Sequence, residues 1–227
     1  MTTKIMAATP YRTLADVQER IGNVSPNRVL IHPAPGTATE QDWVDRHVTS
    51  DRLCELVGGI LVEKPMGWRE AWLATHLLTL LDPYVKANQL GIVVGDGGPY
   101  RLKLGLIRLP DLAFVSWDRI PEDYDFGNPE RPYAEVVPDL AIEVLSESNS
   151  AREMAVKRQE YFKSGVRLVW EVEPDRKEVA VYTSPKRKTI LGVGAELSGG
   201  TVLPGFTLPV AKVFEYPTRP SRPKKRK

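Results

Sequence analysis

The alternation of apolar and polar positions predicts the first ordered elements of the chain. Residues 39–43 have the form of a helix start, with Thr39 as the N-cap and Asp42 at the capping-box position. Two short apolar stretches in residues 54–64, separated by adjacent glycines, predict a β-hairpin. Residues 1–37 are rich in Pro and Thr and have weak periodicity, so we expect an irregular arm there.

Longer apolar patterns follow in the middle of the chain. Leucines and a tryptophan at helical spacing predict a helix over residues 68–82, which Pro83 should end or kink. Glu70 lies on the apolar stripe of this helix, where a carboxylate is costly to bury without a partner. Residues 92–104 predict two strands about a glycine-rich turn that lacks nucleotide-binding spacing.

Two similar strand segments carry the most information. Residues 110–115 and 138–145 both begin with Pro-Asp-Leu-Ala, and each is a β-rich run entered through a proline, which a first strand position tolerates. A polar loop over residues 118–137 joins them. The second strand is followed by N-capping residues and by a helix over 151–164 that Gly165 closes.

The remaining segments complete a mixed α/β fold. Residues 166–172 and 178–182 predict two more strands, and residues 203–214 predict a packed C-terminal extension. The order of helices and strands lacks the strict repetition of a doubly wound sheet. We therefore expect a central mixed β-sheet flanked by helices, with the hairpin added on the N-terminal side, in a single domain over 38–216.

Composition is that of an ordinary globular protein. The chain has 227 residues, of which 42% are hydrophobic and 26% charged, and no apolar run approaches the roughly 20 residues that span a bilayer. Its N-terminus lacks the apolar core of a secretory signal, and its single cysteine, Cys54, cannot form an intramolecular disulfide. We therefore expect a cytoplasmic protein that does not bind a membrane.

The charge is unevenly distributed, although the net charge is only +2. Residues 217–227 contain six basic residues and no acidic residue, whereas the rest of the chain has 25 basic and 29 acidic residues. A proline-rich basic tail of this kind favours disorder. It either adds salt-sensitive contacts to nucleic-acid phosphates or only improves solubility.

Two carboxylates are the main candidates for chemistry. Glu143 interrupts an apolar strand, and a buried carboxylate needs an ion pair, hydrogen bonds or a metal ion. Asp111 begins the other Pro-Asp strand, so the two side chains converge if the strands are neighbours. Two converging carboxylates form a hard-oxygen site suited to Mg²⁺. Taken singly, Asp111 also fits a turn cap and Glu143 a buried ion pair.

Lys157 is the candidate cation of the same site. It lies three residues after Met154 and four before Tyr161 on the helix that follows the Glu143 strand, and its stem can run along apolar surface toward the carboxylates. An ammonium group there would orient or activate water and stabilise developing negative charge. A solvated helix lysine is the alternative interpretation.

The combination of these segments resembles the signature of a large bacterial family of PD-(D/E)XK endonucleases. The resemblance rests on the phrases ELVGGILVEKPMG, IRLPDLAFVS, VPDLAIEVLSESNS, KRQEYFKSGV, VWEVEP and LPGF, and it covers roughly residues 38–214. It implies that Asp111 belongs to the PD motif and that Glu143 is the acid of (D/E)XK. Leu145 stands where the superfamily has its lysine, and the family's lysine on the next helix corresponds to Lys157.

The resemblance also implies a restriction-endonuclease-like fold and the hydrolysis of phosphodiester bonds, most simply in DNA. Asp111, Glu143 and the Val144 carbonyl would hold Mg²⁺, with Mn²⁺ as a substitute. Lys157 would position or deprotonate the attacking water.

Several alternatives stay open at the level of sequence. Glu70 would assist the metal as a helix-borne acid, and Glu55 competes for the same role. We expect a homodimer, because two related sites cut both strands of a duplex most easily. The displaced lysine also fits a catalytically inactive DNA-binding or regulatory module, and a protein-interaction role is a third hypothesis.

Overall fold

The structure, a computed structural model, describes residues 11–50, 52–64, 67–95 and 97–219. The α-helices in these ranges are α1 Leu14–Ile21, α2 Glu40–Thr49, α3 Trp68–Ala87, α4 Ala151–Ser164 and α5 Val210–Val213. The strands are β1 Cys54–Val57, β2 Ile60–Glu63, β3 Gly91–Val94, β4 Tyr100–Lys103, β5 Leu106–Arg108, β6 Leu112–Ser116, β7 Leu140–Val144, β8 Leu168–Glu173, β9 Glu178–Tyr182, β10 Lys188–Leu191, β11 Glu196–Ser198 and β12 Thr207–Pro209.

A six-stranded mixed sheet forms the centre of the fold, in the order β10-β9-β8-β7-β6-β3. Strands β7 and β8 are parallel and the other neighbours are antiparallel. A parallel pair needs a crossover, and α4 supplies it between β7 and β8. The expected mixed α/β class is confirmed.

A second sheet, in the order β2-β1-β5-β4, is antiparallel throughout. It contains the predicted hairpin of β1 and β2. Strands β3 and β4 are both present as predicted, but they belong to different sheets, because β3 pairs with β6 and β4 with β5.

The central sheet is buried on both faces, which explains the apolar runs of β6 and β7. Leu112 and Ile142 pack with α3 and the C-terminal segment in one core cluster. Ala113 and Ala141, on the opposite face, pack with Tyr161 of α4 and with the second sheet. Alternation along the strands assigns residues to the two faces. The functional candidates Asp111 and Glu143 therefore belong to the α4 face.

The prediction of an irregular arm over residues 1–37 is wrong for α1. This helix begins at the capping residue Thr13 and ends at Gly22, which has a left-handed conformation. Val17 and Ile21 are buried in the same core cluster as Tyr161 of α4. A helix as short as α1 is stabilised by tertiary packing. An apolar pattern over only eight residues was too short to predict this helix from the sequence. Residues 1–10 of the arm and 220–227 of the tail lie outside the described residues.

Helix α3 continues through Pro83 to Ala87, so of the two expected effects of the proline, ending the helix is wrong. Proline removes one backbone hydrogen bond of the helix. Leu81 and Val85, on either side of it, are buried in the core, and their packing holds the last turn in place. The predicted helix start at Thr39 is confirmed, including the reciprocal bonds with Asp42.

Candidate active site

Asp111 and Glu143 stand opposite one another at one end of the β6–β7 pair. Leu112 faces Ile142 in this antiparallel ladder, so the next position along the register places Asp111 across from Glu143. Oδ2 of Asp111 accepts a hydrogen bond of 2.5 Å from the Val144 amide, which ties the PD segment to β7. Both carboxylates are buried, with 2% and 4% exposure.

Lys157 of α4 contacts Glu143 directly. Its Nζ lies 3.2 Å from Oε2 of Glu143 and 3.2 Å from Oε1 of Glu55 on β1. The Tyr161 hydroxyl, one turn further along α4, donates a hydrogen bond of 2.6 Å to Oε1 of Glu143. The helical spacing of four residues thus directs an ammonium group and a phenol at the same carboxylate.

Lys64, which sequence reasoning did not identify, is the partner of Asp111. Its Nζ lies 2.7 Å from Oδ1 of Asp111 and donates a hydrogen bond of 2.5 Å to the Leu109 carbonyl. Lys64 follows β2, and only the pairing of β2, β1 and β5 brings it to this position. A single lysine at the end of a hairpin gives no sequence signal for such a long-range contact.

A line of alternating charges continues behind Lys157. Nη1 of Arg108 donates to Oε2 of Glu55 at 2.6 Å, and its Nε donates to Oε2 of Glu160 at 3.0 Å. Oε1 of Glu160 in turn accepts from Nη1 of Arg20 at 2.7 Å. Glu55 also accepts a hydrogen bond from the Leu109 amide. Arg108 interrupts an apolar strand, as Glu143 does, and that signal was available in the sequence.

Burial and neighbouring charges together set the protonation of Glu143 and Lys157. Burial raises the pKa of Glu143, and the neighbouring Lys157 offsets only part of that effect. Burial opposes the charge of Lys157, but Glu143 and Glu55 outweigh it and raise the lysine pKa. The pKa of Glu55 is held at about 2 because Lys157 and Arg108 overcome the effect of burial. Lys157 is therefore an ammonium ion at neutral pH.

The candidates line one small cavity of about 10 Å³. Its walls contain all five residues proposed from the sequence, together with four others: Glu70, Asp111, Glu143, Val144, Lys157, Arg28, Lys64, Ser146 and Asn149. Glu55 is not among them and lies behind Lys157. The cavity has space for about one water molecule.

Glu70 reaches this cavity from the first turn of α3. It is 8% exposed, and its Oε1 accepts a hydrogen bond of 3.1 Å from Nε of Arg69. Gly67 leaves room for the carboxylate, because a Cβ there would lie 2.0 Å from Oε2 of Glu70. Of the two competing acids, Glu70 is thus the one beside Asp111 and Glu143, and Glu55 is a partner of Lys157 and Arg108.

The donor set of the cavity is compatible with a hard divalent ion. Mg²⁺ is commonly bound through one or two carboxylates, with water and phosphate filling the other positions. Asp111 and Glu143 supply two carboxylates, and Glu70 lines the same space. Within the described residues, no three His, Cys, Asp or Glu side chains are grouped closely enough to bind a metal by themselves. The ion would also have to displace Lys64 from Oδ1 of Asp111.

A larger groove of about 420 Å³ begins beside the cavity. Ser146 and Asn149 line both, and the groove continues over β8, β9 and β10. Three basic side chains line it, Arg158, Arg176 and Lys188, together with three acidic ones, Glu171, Glu173 and Glu178. Arg158 is paired with Glu171 at 2.5 Å, whereas Arg176 and Lys188 are exposed.

Adjacent PD and Glu strands in a mixed sheet, followed by a helix that carries a lysine, define a restriction-endonuclease-like fold. A model of the Uma2 family, described as "Putative restriction endonuclease", matches residues 41–211. The chain belongs to this family, and the resemblance to PD-(D/E)XK nucleases is confirmed.

One solved structure with the same architecture is that of "a putative nuclease belonging to DUF820" from Anabaena variabilis. The two chains are 18% identical, and the match covers 75% of this chain and 96% of that one, with a TM-score of 0.62. At this identity the likeness concerns the fold. The sequence has no match among curated proteins. In the described part of the chain, no helix is both long and apolar enough to cross a membrane.

Proposed function

We propose that the protein is an endonuclease that hydrolyses phosphodiester bonds in DNA with the help of Mg²⁺ or Mn²⁺. The observation that carries the proposal is the convergence of Asp111, Glu143 and Lys157 on one cavity at the end of two adjacent strands. Membership of a family described as restriction endonucleases supports the reaction class. Glu70 and Val144 complete the proposed site.

The ion would be held by Asp111, Glu143 and the Val144 carbonyl, with Glu70 holding a water molecule beside it. A bound divalent ion would supply Lewis acidity toward the phosphate and the attacking water. Tyr161 fixes the orientation of Glu143 by donating to one of its oxygens. This hydrogen bond leaves the carboxylate fewer alternative rotamers and a defined direction toward the cavity.

Lys157 acts as a cation in this proposal. Its two carboxylate neighbours raise its pKa, so it is protonated at neutral pH. Its N–H groups would instead orient the attacking water, and its charge would stabilise the charge that develops on the phosphate. Of the two roles expected from the sequence, positioning the water is the one that the electrostatics favour.

The DNA backbone would lie along the groove that begins at Ser146 and Asn149. Arg176 and Lys188 are its exposed cations, and phosphate contacts of this kind are independent of sequence. The basic residues of 217–227 would add further contacts of the same type. A homodimer would provide the second site needed to cut both strands of a duplex.

The test is cleavage of supercoiled plasmid and of single-stranded DNA by the wild type, Glu143→Gln and Lys157→Ala at equal concentration with Mg²⁺ or Mn²⁺. We expect metal-dependent nicking that falls at least about 100-fold in both variants, as for other residues that stabilise transition-state charge. Lys103→Ala, which changes an exposed lysine, is the matched control and should keep full activity. Equal nicking by all four proteins would refute the assignment.

A catalytically inactive DNA-binding module is the second candidate function. Two observations favour it: Lys64 already neutralises Asp111, and the cavity is too small for a phosphate group. This alternative predicts DNA binding that needs no divalent ion and no nicking in any variant. It also predicts that Glu143→Gln leaves the affinity for Mg²⁺ unchanged.

A further inference from the structure

A separate cavity lies at the β3 edge of the central sheet, away from Asp111 and Glu143. It measures about 180 Å³, and its floor includes Ile92 of β3 and Val115 of β6, which are register partners. Val115 lies four residues beyond Asp111 along the strand, on the order of 13 Å at the usual strand rise. The cavity therefore does not belong to the candidate active site.

The walls of this cavity are suited to a flat ring. Tyr124 and Phe126 line it and contact each other edge to face, with ring centroids 4.9 Å apart. Trp117 packs edge to face on Phe126 at 6.5 Å. Cavities of about 150 Å³ hold one benzene ring, so the available volume matches one small aromatic ring system.

Tyr100 contributes a further buried residue to the wall of the cavity and is 2% exposed. Its hydroxyl has no hydrogen-bond partner among the described residues and is closed to a molecule the size of water, so the ligand contacts of the cavity come from its other side chains.

The lining of the cavity includes one cation, Arg131, and one carboxylate, Asp125. The guanidinium of Arg131, which is exposed, lies 4.6 Å from the centroid of the Tyr124 ring. A guanidinium held in this way is well placed to contact a phosphate attached to the ring that enters. The loop that carries Tyr124 and Arg131 is tied to β4, because the Ala134 amide donates to the Pro99 carbonyl at 2.8 Å.

We propose that this cavity binds the heterocyclic ring of a nucleobase, with its phosphate toward Arg131. Aromatic rings for stacking and an arginine for the phosphate are groups that such a ligand requires. The ring belongs either to a free nucleotide or to an unpaired base of a nucleic-acid strand. The site is independent of the proposed nuclease reaction.

The test is isothermal titration of the wild type in EDTA with AMP, CMP, ribose 5-phosphate and a short single-stranded oligonucleotide. We expect at least one nucleotide ligand to bind about tenfold more tightly than ribose 5-phosphate, which lacks the base. Tighter binding of AMP or CMP identifies a free nucleotide as the source of the ring. Tighter binding of the oligonucleotide identifies a strand only if Ala134→Phe, which fills the cavity, weakens it, because binding along the groove at Ser146 and Asn149 does not involve Ala134. Because no metal is present, the result does not depend on cleavage.

Two variants of the cavity complete the test. Ala134→Phe should abolish nucleotide binding by filling the cavity, and Phe126→Ala, at a side chain that is 59% exposed, should weaken it by removing a stacking surface. Arg187→Met, which changes an exposed residue outside the lining of this cavity, should bind AMP and CMP like the wild type. Binding that both cavity variants retain, or binding no tighter than that of ribose 5-phosphate, overturns the proposal.

Discussion

Nζ of Lys64 lies 2.7 Å from Oδ1 of Asp111, and both side chains are almost fully buried. An ammonium group therefore already compensates the carboxylate that would hold the metal ion in the proposed reaction. Binding of a divalent cation at Asp111 requires Lys64 to move. The free energy needed to break this ion pair therefore reduces the binding free energy of the metal ion.

Lys64→Met should raise the affinity for Mg²⁺ about tenfold, because the ion no longer competes with an ammonium group. The same variant should be less stable without metal, since Asp111 loses its buried partner. Titration calorimetry with Mg²⁺, and thermal unfolding with and without the ion, measure the two effects. Lys103→Met changes an exposed lysine and should alter neither. An unchanged Mg²⁺ affinity in Lys64→Met would exclude metal binding at Asp111.

Tyr161→Phe tests the support of Glu143 without changing any charge. Loss of the 2.6 Å hydrogen bond to a buried carboxylate should cost about 2 kcal/mol of unfolding free energy and reduce cleavage roughly tenfold. Urea unfolding and plasmid nicking check the two values. Tyr216→Phe removes the hydroxyl of a half-exposed tyrosine and is the matched control. Equal activity of both variants would mean that the orientation of Glu143 does not limit the reaction.

The sequence was sufficient to predict which strands carry the acids. Glu143 breaks an apolar run and Asp111 follows a proline at a strand entrance, and both features are local. The pairing of β6 with β7, on which the convergence of the two acids depends, is seen in the structure and was only a condition of the sequence argument. The helix with Lys157 could be predicted because Ser150 and Gly165 mark both of its ends.

The partners of these residues could not be predicted, because they come from distant parts of the chain. Lys64 reaches Asp111 only through the second sheet, and Arg20 reaches Glu160 only through the packing of α1 on α4. A charged residue shows in the sequence that it needs a partner, but not which residue supplies it. Glu55 illustrates the point: its carboxylate was a candidate for metal binding, and its contacts are Lys157 and Arg108.

Arg108→Met should destabilise the fold strongly. Arg108 is 3% exposed and lies between the carboxylates of Glu55 and Glu160, so its removal takes one cationic partner from each of two buried acids. Breaking a buried ion pair from one side costs about 3–5 kcal/mol. Urea unfolding at pH 7 measures the loss.

The double variant Arg108→Met, Glu160→Gln separates charge from packing. Neutralising Glu160 should restore part of the lost stability, because one of the uncompensated carboxylates is gone. Arg187→Met, in the exposed turn between β9 and β10, should be within about 0.5 kcal/mol of the wild type. If the double variant were as unstable as the sum of the two single changes, packing of the arginine rather than charge would explain the effect.

Cys54 should be unreactive in the folded protein. The side chain is 2% exposed on β1, and burial raises the pKa of the thiol from 9.0 to about 12. The thiolate is the reactive form of cysteine. A disulfide reagent at pH 8 should therefore label the native protein no faster than the protein unfolds and exposes Cys54. Labelling in guanidinium should be complete within the mixing time. Fast labelling of the native protein would contradict the burial of β1.

The raised pKa of Cys54 also makes stability depend on alkaline pH. The unfolded chain releases the thiol proton near pH 9, whereas the folded chain keeps it up to about pH 12, so the folded state binds more protons in this interval. Stability should therefore fall as pH rises above 9, by up to about 1.4 kcal/mol per pH unit from this group. Cys54→Ala lacks this contribution, and its urea midpoint should fall less between pH 8 and pH 10.5 than that of the wild type. Parallel pH dependence of the two proteins would mean that the native thiol ionises as easily as the unfolded one.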